Sequence, residues 1–281
     1  MNLFNPILYD TSSTRSILLR FQSHIIKLKF LMNWQCSVVE GSSPKSESSV
    51  RVMFFSDTHT NHNKIPQEWI LPCDVAIFAG DFSYHGGFNE TKLFSDWYSS
   101  IPATYKVLIA GNHELTFDFE NQAEIRHYNT KDPKDNDIQR IKSLISENKK
   151  LIYLEDQTIE ILGLKIFGSP YSPYFCDWGF PTFTETAHIH WDLIEENTHI
   201  VVTHGPVLGV LDETVRGDPT GCPVLLVKLK QVKPLVHVFG HIHEAYGIQK
   251  VENTIHINAS TLNYHYKVQN PPIYIDFLRQ E

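Results

Sequence analysis

VRVMFFSDTH, residues 50–59, sets the pattern on which the reading of this chain rests. A β-branched-rich apolar run, Val50–Phe55, stops abruptly at Ser56-Asp57. Four later stretches repeat the form: VAIFAGD (75–81), VLIAGNHE (107–114), IVVTHG (200–205) and LVHVFGHIH (235–243). Each run is short and apolar on both faces, which is how interior strands covered on each side read.

Helical patterns separate these runs. Asp135–Asn148 sets Ile138, Ile141, Leu144 and Ile145 on one stripe, with Lys149 and Lys150 at its C-terminal end. Asn89–Ser100 and Glu185–Asn197 read as helices as well. Thr158–Phe167 (with Gly163 at a turn), Thr254–Asn258 and Pro272–Phe277 alternate as antiparallel strands do. The fold class is therefore α/β, with two packed mixed β-sheets flanked by helices. Residues 41–49, GSSPKSESS, read as a linker. This divides the chain into an N-terminal extension and linker, 1–49, expected to be poorly ordered, and one domain, 50–281.

The 281 residues are 42% hydrophobic and 20% charged, enough to bury a core without staples. Net charge is −8, but it splits into +2 over residues 1–49 and −10 over residues 50–281. A body that acidic excludes general nucleic-acid binding, which needs clustered Lys and Arg. The scattered Cys36, Cys73, Cys176 and Cys222 form no CxxC pair and suit a reducing compartment, so a cytoplasmic location is expected. No stretch is apolar enough to span a membrane. Ile17–Met32 comes nearest, but Arg20, His24, Lys27 and Lys29 interrupt it. It reads as a peripheral, non-catalytic segment, either an organelle presequence or an upstream extension with Met32 as the working start.

Open α/β sheets place ligands at the carboxyl ends of their strands. Here those ends carry Asp57-Thr58-His59, Asp81, Asn112-His113-Glu114, His204 and His241-Ile242-His243. Carboxylate and amide oxygens with imidazole nitrogens, and no thiolate, suit Mn, Fe or Zn. In an extended segment residues i and i+2 point the same way, so Asp57 with His59, and His241 with His243, are expected to enter one site together. A carboxylate between two clusters is the natural bridge, and Asp81 holds that place. His62, His85 and His265 read as surface residues. His188, His190, His199, His237 and His256 read as packing or surface, and Asp212, Glu213 and Asp218 as loop charges.

The five motifs, in this order and each capping an apolar run, resemble the metallophosphoesterase (calcineurin-like phosphoesterase) superfamily over about residues 51–277. Asn258-Ala259-Ser260-Thr261, Asn270-Pro271-Pro272 and His204-Gly205-Pro206 are similar to its narrower metallophosphoesterase-domain-containing protein subgroup. The resemblance implies a four-layer αββα sandwich with two divalent metal ions, Mn by preference. Asp57, His59, Asp81 and His243 would hold the first ion; Asp81, Asn112, His204 and His241 would hold the second. His113 resembles the family's catalytic histidine, and Glu114 is expected to orient His113 or a neighbouring ligand.

Such a pair activates a bridging hydroxide for attack on a phosphate ester, with His113 aiding the leaving oxygen. In the protein-phosphatase branch the GD motif continues as GDxxDRG, whereas this chain has Gly80-Asp81-Phe82-Ser83-Tyr84-His85-Gly86. That difference favours a small phosphodiester substrate, such as a cyclic nucleotide, with Arg216 a candidate for the missing guanidinium. The alternatives are a phosphomonoesterase and a non-catalytic scaffold of the same fold.

Overall fold

The structure is a computed structural model that describes residues 34–39, 43–118 and 137–280. The apolar stretch Ile17–Met32, and the first two residues of the helix expected from Asp135, lie outside the described residues.

The first sheet contains β1 (Trp34–Val38), β2 (Ser49–Phe55), β3 (Cys73–Ala79), β4 (Ala103–Ile109), β5 (Ile152–Tyr153) and β14 (Ile273–Arg279), in spatial order β1-β14-β2-β3-β4-β5. The second contains β6 (Gln157–Ile161), β7 (Leu164–Ser169), β10 (Ile200–Thr203), β11 (Val236–Phe239), β12 (Gly247–Val251) and β13 (Thr254–Asn258), in order β12-β13-β11-β10-β7-β6. A small ribbon pairs β8 (Ser172–Pro173) with β9 (Pro181–Thr182). Strands β2 to β5 run parallel, as do β7, β10, β11 and β13, while the outer pairings β1·β14, β14·β2, β6·β7 and β12·β13 are antiparallel.

Strand alternation sorts the apolar residues into layers. Val52, Phe54, Ile77 and Ile109 meet Ile166, Val202, Val238 and Ile257 between the sheets. Their neighbours Met53, Phe55, Phe78 and Leu108 face outward. There they pack on Phe94 and Tyr98 of α1 (Phe88–Ser100) and on Ile141 and Ile145 of α2 (Ile138–Ser146). On the far side, Phe167 and Val201 pack under Trp191 of α3 (His188–Trp191) and Leu225 and Leu229 of α4 (Pro223–Val232). The result is the expected αββα sandwich.

Local chemistry sets the helix ends. Glu90 turns back to accept the Gly87 N–H at the start of α1 (3.2 Å), and Asp137 accepts the Arg140 N–H at the start of α2 (3.0 Å). The helix expected over Glu185–Asn197 is a single turn, α3. His188, His190, Trp191 and Asp192 are weak helix formers, and tertiary burial of Ala187, Trp191 and Ile194 decides the path. Helix α4 was not legible because Val224-Leu225-Leu226-Val227 looks like a strand. Pro223 in its first turn and the burial of Leu225, Leu229 and Val232 make it a helix.

The boundary expected at residue 50 also shifts. Trp34–Val38, placed by sequence in the extension, pairs with β14 as the edge strand of the first sheet, and Trp34 joins the central core. Part of the linker is tied down too. Arg51 donates to the Ser43 carbonyl (2.9 Å) while forking onto Asp276 (2.8 and 2.7 Å), and Lys45 pairs with Asp74.

Candidate metal centre

Strands β2, β3 and β4 of one sheet, and β10 and β11 of the other, bring their carboxyl ends to the same edge of the sandwich, where Ser56 and Ser260 bridge the sheets. The backbone there is not extended. Asp57 (φ 50°), His59 (φ 35°), Asp81 (φ 60°) and His241 (φ 69°) are left-handed. Each such residue costs about 1–3 kcal/mol and persists only where its surroundings impose it. The extended i, i+2 argument is thereby corrected. Tight left-handed turns bring Asp57 and His59 together, whereas His241 and His243 face different groups. Two glycines complete the turns: a Cβ on Gly111 would overlap Asp81 Oδ1, and one on Gly240 would overlap Asp57 Oδ2.

Two donor groups result, and a third cluster, His59, Asp81 and His113, overlaps both through Asp81 and His59. Asp57, His59 and His243 bring ligand atoms within 4.8 Å of one another, and so do Asp81, His204 and His241. Asp81 faces both groups: its Oδ2 lies 3.3 Å from His204 Nε2 and 3.6 Å from His59 Nε2, while its Oδ1 accepts the His113 backbone N–H (3.0 Å). Asn112 Oδ1 completes the second group, 2.9 Å from His204 Nε2 and 2.8 Å from His241 Nδ1. All seven residues read from the sequence as ligands are brought together here.

Backbone carbonyls orient the imidazoles. His59 Nδ1 donates to the Ser83 carbonyl (3.0 Å), His204 Nδ1 to Ala79 (2.9 Å) and His243 Nδ1 to Asn263 (3.3 Å). With Nδ1 engaged in this way, each ring aims its Nε2 inward, the atom that becomes a ligand once a metal displaces any proton there. His59 Nε2 and His243 Nε2 then face each other at 3.2 Å beside the Asp57 carboxylate. Two inward-facing ring nitrogens this close beside an anion mark a cation position, taken by a proton or by a divalent ion in its place. Oxygen and imidazole donors without thiolate suit a borderline divalent ion.

Charge is balanced on the same pattern. Burial alone would raise the Asp57 carboxyl, but His243 outweighs it and holds Asp57 near 2; Asp81 is likewise held well below its ordinary range, mainly by His204. Burial pushes His59 down to about 3 and, with help from His204, His241 down to about 4. His204 moves the other way, to about 9, because Asp81 overcomes its burial.

Glu114 has a role the sequence did not locate. Its buried carboxylate accepts the backbone N–H groups of Asp81 (2.9 Å), Ser83 (2.9 Å) and Gly111 (2.7 Å), and the Ser83 hydroxyl (2.7 Å). It thus clamps the two loops that carry Asp81 and Asn112. His113 is held by other groups: its Nδ1 donates to the Tyr84 carbonyl (2.9 Å), its ring stacks on Trp178 (4.0 Å), and its Nε2 lies 4.0 Å from Asp81 Oδ2.

Asn258, quoted in the sequence as part of a family-like tail, pins the His241–His243 turn by donating to the Ile242 carbonyl (2.8 Å). Asp212 is more than a loop charge, since its buried carboxylate accepts the N–H groups of Gly209 (2.9 Å) and Gly221 (3.0 Å). His62 is a core residue against Phe94 and Trp97, not a surface one. No signal beyond proximity in the chain marked Ser83 or Tyr84, while Trp178, which the sequence offers as a ring to stack on a base, stacks on His113.

Beside the donor groups lies a cleft of about 560 Å³ whose walls include His241, His243, Phe175, Tyr266, Tyr264 and Arg216. Glu244 accepts the Val215 N–H (2.8 Å), which ties the Arg216 loop to the turn that carries His243.

Comparison with known proteins agrees with this geometry. The chain is 38% identical over 247 residues to human metallophosphoesterase domain-containing protein 1, covering 85% of this chain and 74% of the human one. It is 34% identical over 249 residues to a UPF0046 protein of Caenorhabditis elegans, covering 84% and 79% of the two chains. Among solved structures, a phosphopantetheinyl hydrolase from Mycobacterium tuberculosis shares the fold, with a TM-score of 0.53 at 12% identity over 79% of this chain and 92% of that one. The calcineurin-like phosphoesterase family model matches residues 50–245, the span that supplies all seven clustered side chains, and the chain belongs to that family.

Proposed function

We propose that this protein is a dinuclear-metal phosphodiesterase. Asp57, His59, Asp81 and His243 hold one divalent ion, Asp81, Asn112, His204 and His241 hold the other, and Mn is the preferred metal. The observation that carries this reading is the single carboxylate, Asp81, facing both donor groups. When bound, the ions supply Lewis acidity toward a phosphoryl oxygen and activate water near neutral pH.

The remaining chemistry belongs to the chain. His113, fixed through Nδ1 by the Tyr84 carbonyl, presents Nε2 to the leaving oxygen and delivers a proton there. Glu114 keeps Asp81 and Asn112 in place. The diester preference rests on two features. The loop after Asp81 carries no guanidinium, since Tyr84-His85-Gly86 stand where the protein-phosphatase branch has Asp-Arg-Gly. The adjoining cleft has aromatic walls, which suit the organic group of a second ester. The four cysteines are free, in keeping with a reducing compartment, and we place the protein in the cytoplasm. No helix among the described residues is long and apolar enough to cross a membrane.

The test is hydrolysis by the full chain with Mn²⁺, together with metal analysis. Bis(p-nitrophenyl) phosphate should turn over faster than p-nitrophenyl phosphate, and Asp81→Asn should lose both metal and turnover. A preference for the monoester would overturn the diester assignment. Two ions bound with neither ester hydrolysed would point to the scaffold.

A further inference from the structure

Three buried side chains of the second sheet lie outside both donor groups, yet they end at one of the turns that builds them. Val201 pairs with His237 across β10 and β11, and His237 pairs with His256 across β11 and β13. Alternation therefore puts Thr203, His237 and His256 on the outer face of the sheet, the face on which Val201 packs beneath α4. His237 and Thr203 are fully buried and His256 nearly so. The sequence marks the two histidines as packing or surface residues, but their hydrogen bonds give them a direction.

The Gly205 carbonyl is an acceptor only, so the Thr203 hydroxyl must donate to it (2.7 Å). Thr203 Oγ1 must then accept from His237 Nε2–H (2.9 Å). His237 is neutral and protonated on Nε2, so its Nδ1 is bare and accepts from His256 Nδ1–H (3.1 Å). One acceptor at the end of the chain thus fixes both tautomers. Burial supports the same state, holding His237 well below its ordinary range and His256 down to about 4. The far side of the turn is wedged as well, since a Cβ on Gly205 would meet Ser172 and Pro173 of β8 at 2.9 Å. Within this turn His204 points Nε2 at Asp81 Oδ2 (3.3 Å) and Asn112 Oδ1 (2.9 Å).

We propose that His237 and His256 are positioning residues which, with Thr203, form a directed hydrogen-bond relay that fixes the His204–Gly205 turn and so aims His204 into the second donor group. The proposal rests on the reading of His204 as a metal ligand. In a buried layer such a chain is cooperative, and supports behind metal-binding imidazoles commonly govern affinity by 10–100-fold.

The experiment has two readouts on the ¹⁵N-labelled full chain. Long-range ¹H–¹⁵N spectra report the tautomers, expected as Nε2–H for His237 and Nδ1–H for His256. Mn²⁺ titration reports affinity. Thr203→Val keeps the shape but removes the hydroxyl, and it should weaken one of the two Mn²⁺ binding steps at least tenfold while shifting the His237 signals. Thr203→Ser should restore both. A proton on His237 Nδ1 in the wild type, or undiminished affinity in Thr203→Val, overturns the relay. If the wild type shows the expected tautomers but binds no Mn²⁺, the metal reading falls while the relay stands as the brace of the turn.

Discussion

Glu114 illustrates how much of the centre depends on single side chains. It holds three backbone N–H groups and one hydroxyl, some more than thirty residues from it in the chain, and offers them nothing but acceptor oxygens. Glu114→Gln puts an amide donor against those donors, so unfolding free energy should fall by about 2–3 kcal/mol, read from urea denaturation. An unchanged midpoint would refute the clamp. Trp178 makes a different prediction because its ring stacks on that of His113. Trp178→Leu should lower kcat about tenfold or more through misalignment of His113, with metal content unchanged. Equal kcat in the two proteins would show that the stack is incidental. The ligand set was legible because each member caps an apolar run in sequence. The supports of His113 and the target of Glu114 were not, because those contacts are made across space and carry no spacing in the chain.

At the scale of elements, β1 carries the clearest prediction. Trp34 is 7% exposed, sits in the core between the sheets and meets His199 edge-on at 6.4 Å. Trp34→Ala should cost about 3–5 kcal/mol by urea unfolding. A chain beginning at Met32 should therefore keep its stability, whereas one beginning at Ser43 should lose at least as much as the point variant. Equal stability of the two truncations would show β1 to be dispensable. The sequence hid this strand because Trp34-Gln35-Cys36-Ser37-Val38 is short and lies before a Ser-rich stretch, and only pairing with β14 reveals it. The five motif-bearing strands were legible for the opposite reason: burial on both faces makes them continuous apolar runs.

For the whole molecule, buried neutral histidines tie stability to pH. Burial holds His62, His199 and His256 each at about 4, below the roughly 6.5 of an unfolded chain. Between those values the unfolded state binds more protons, so their stabilisation is complete above pH 6.5 and is lost as pH falls toward 4. Metal-free protein should lose roughly 3 kcal/mol or more from pH 7 to pH 4.5, measured by urea unfolding at each pH. A flat profile would contradict the burial of these rings.

The proposed dinuclear centre depends on two ions sharing Asp81. Anomalous diffraction at the manganese edge, from crystals of the full chain grown with Mn²⁺, tests this most directly. Two peaks are expected about 3.5–4 Å apart, both beside Asp81. A single peak, or peaks away from Asp81, would contradict it.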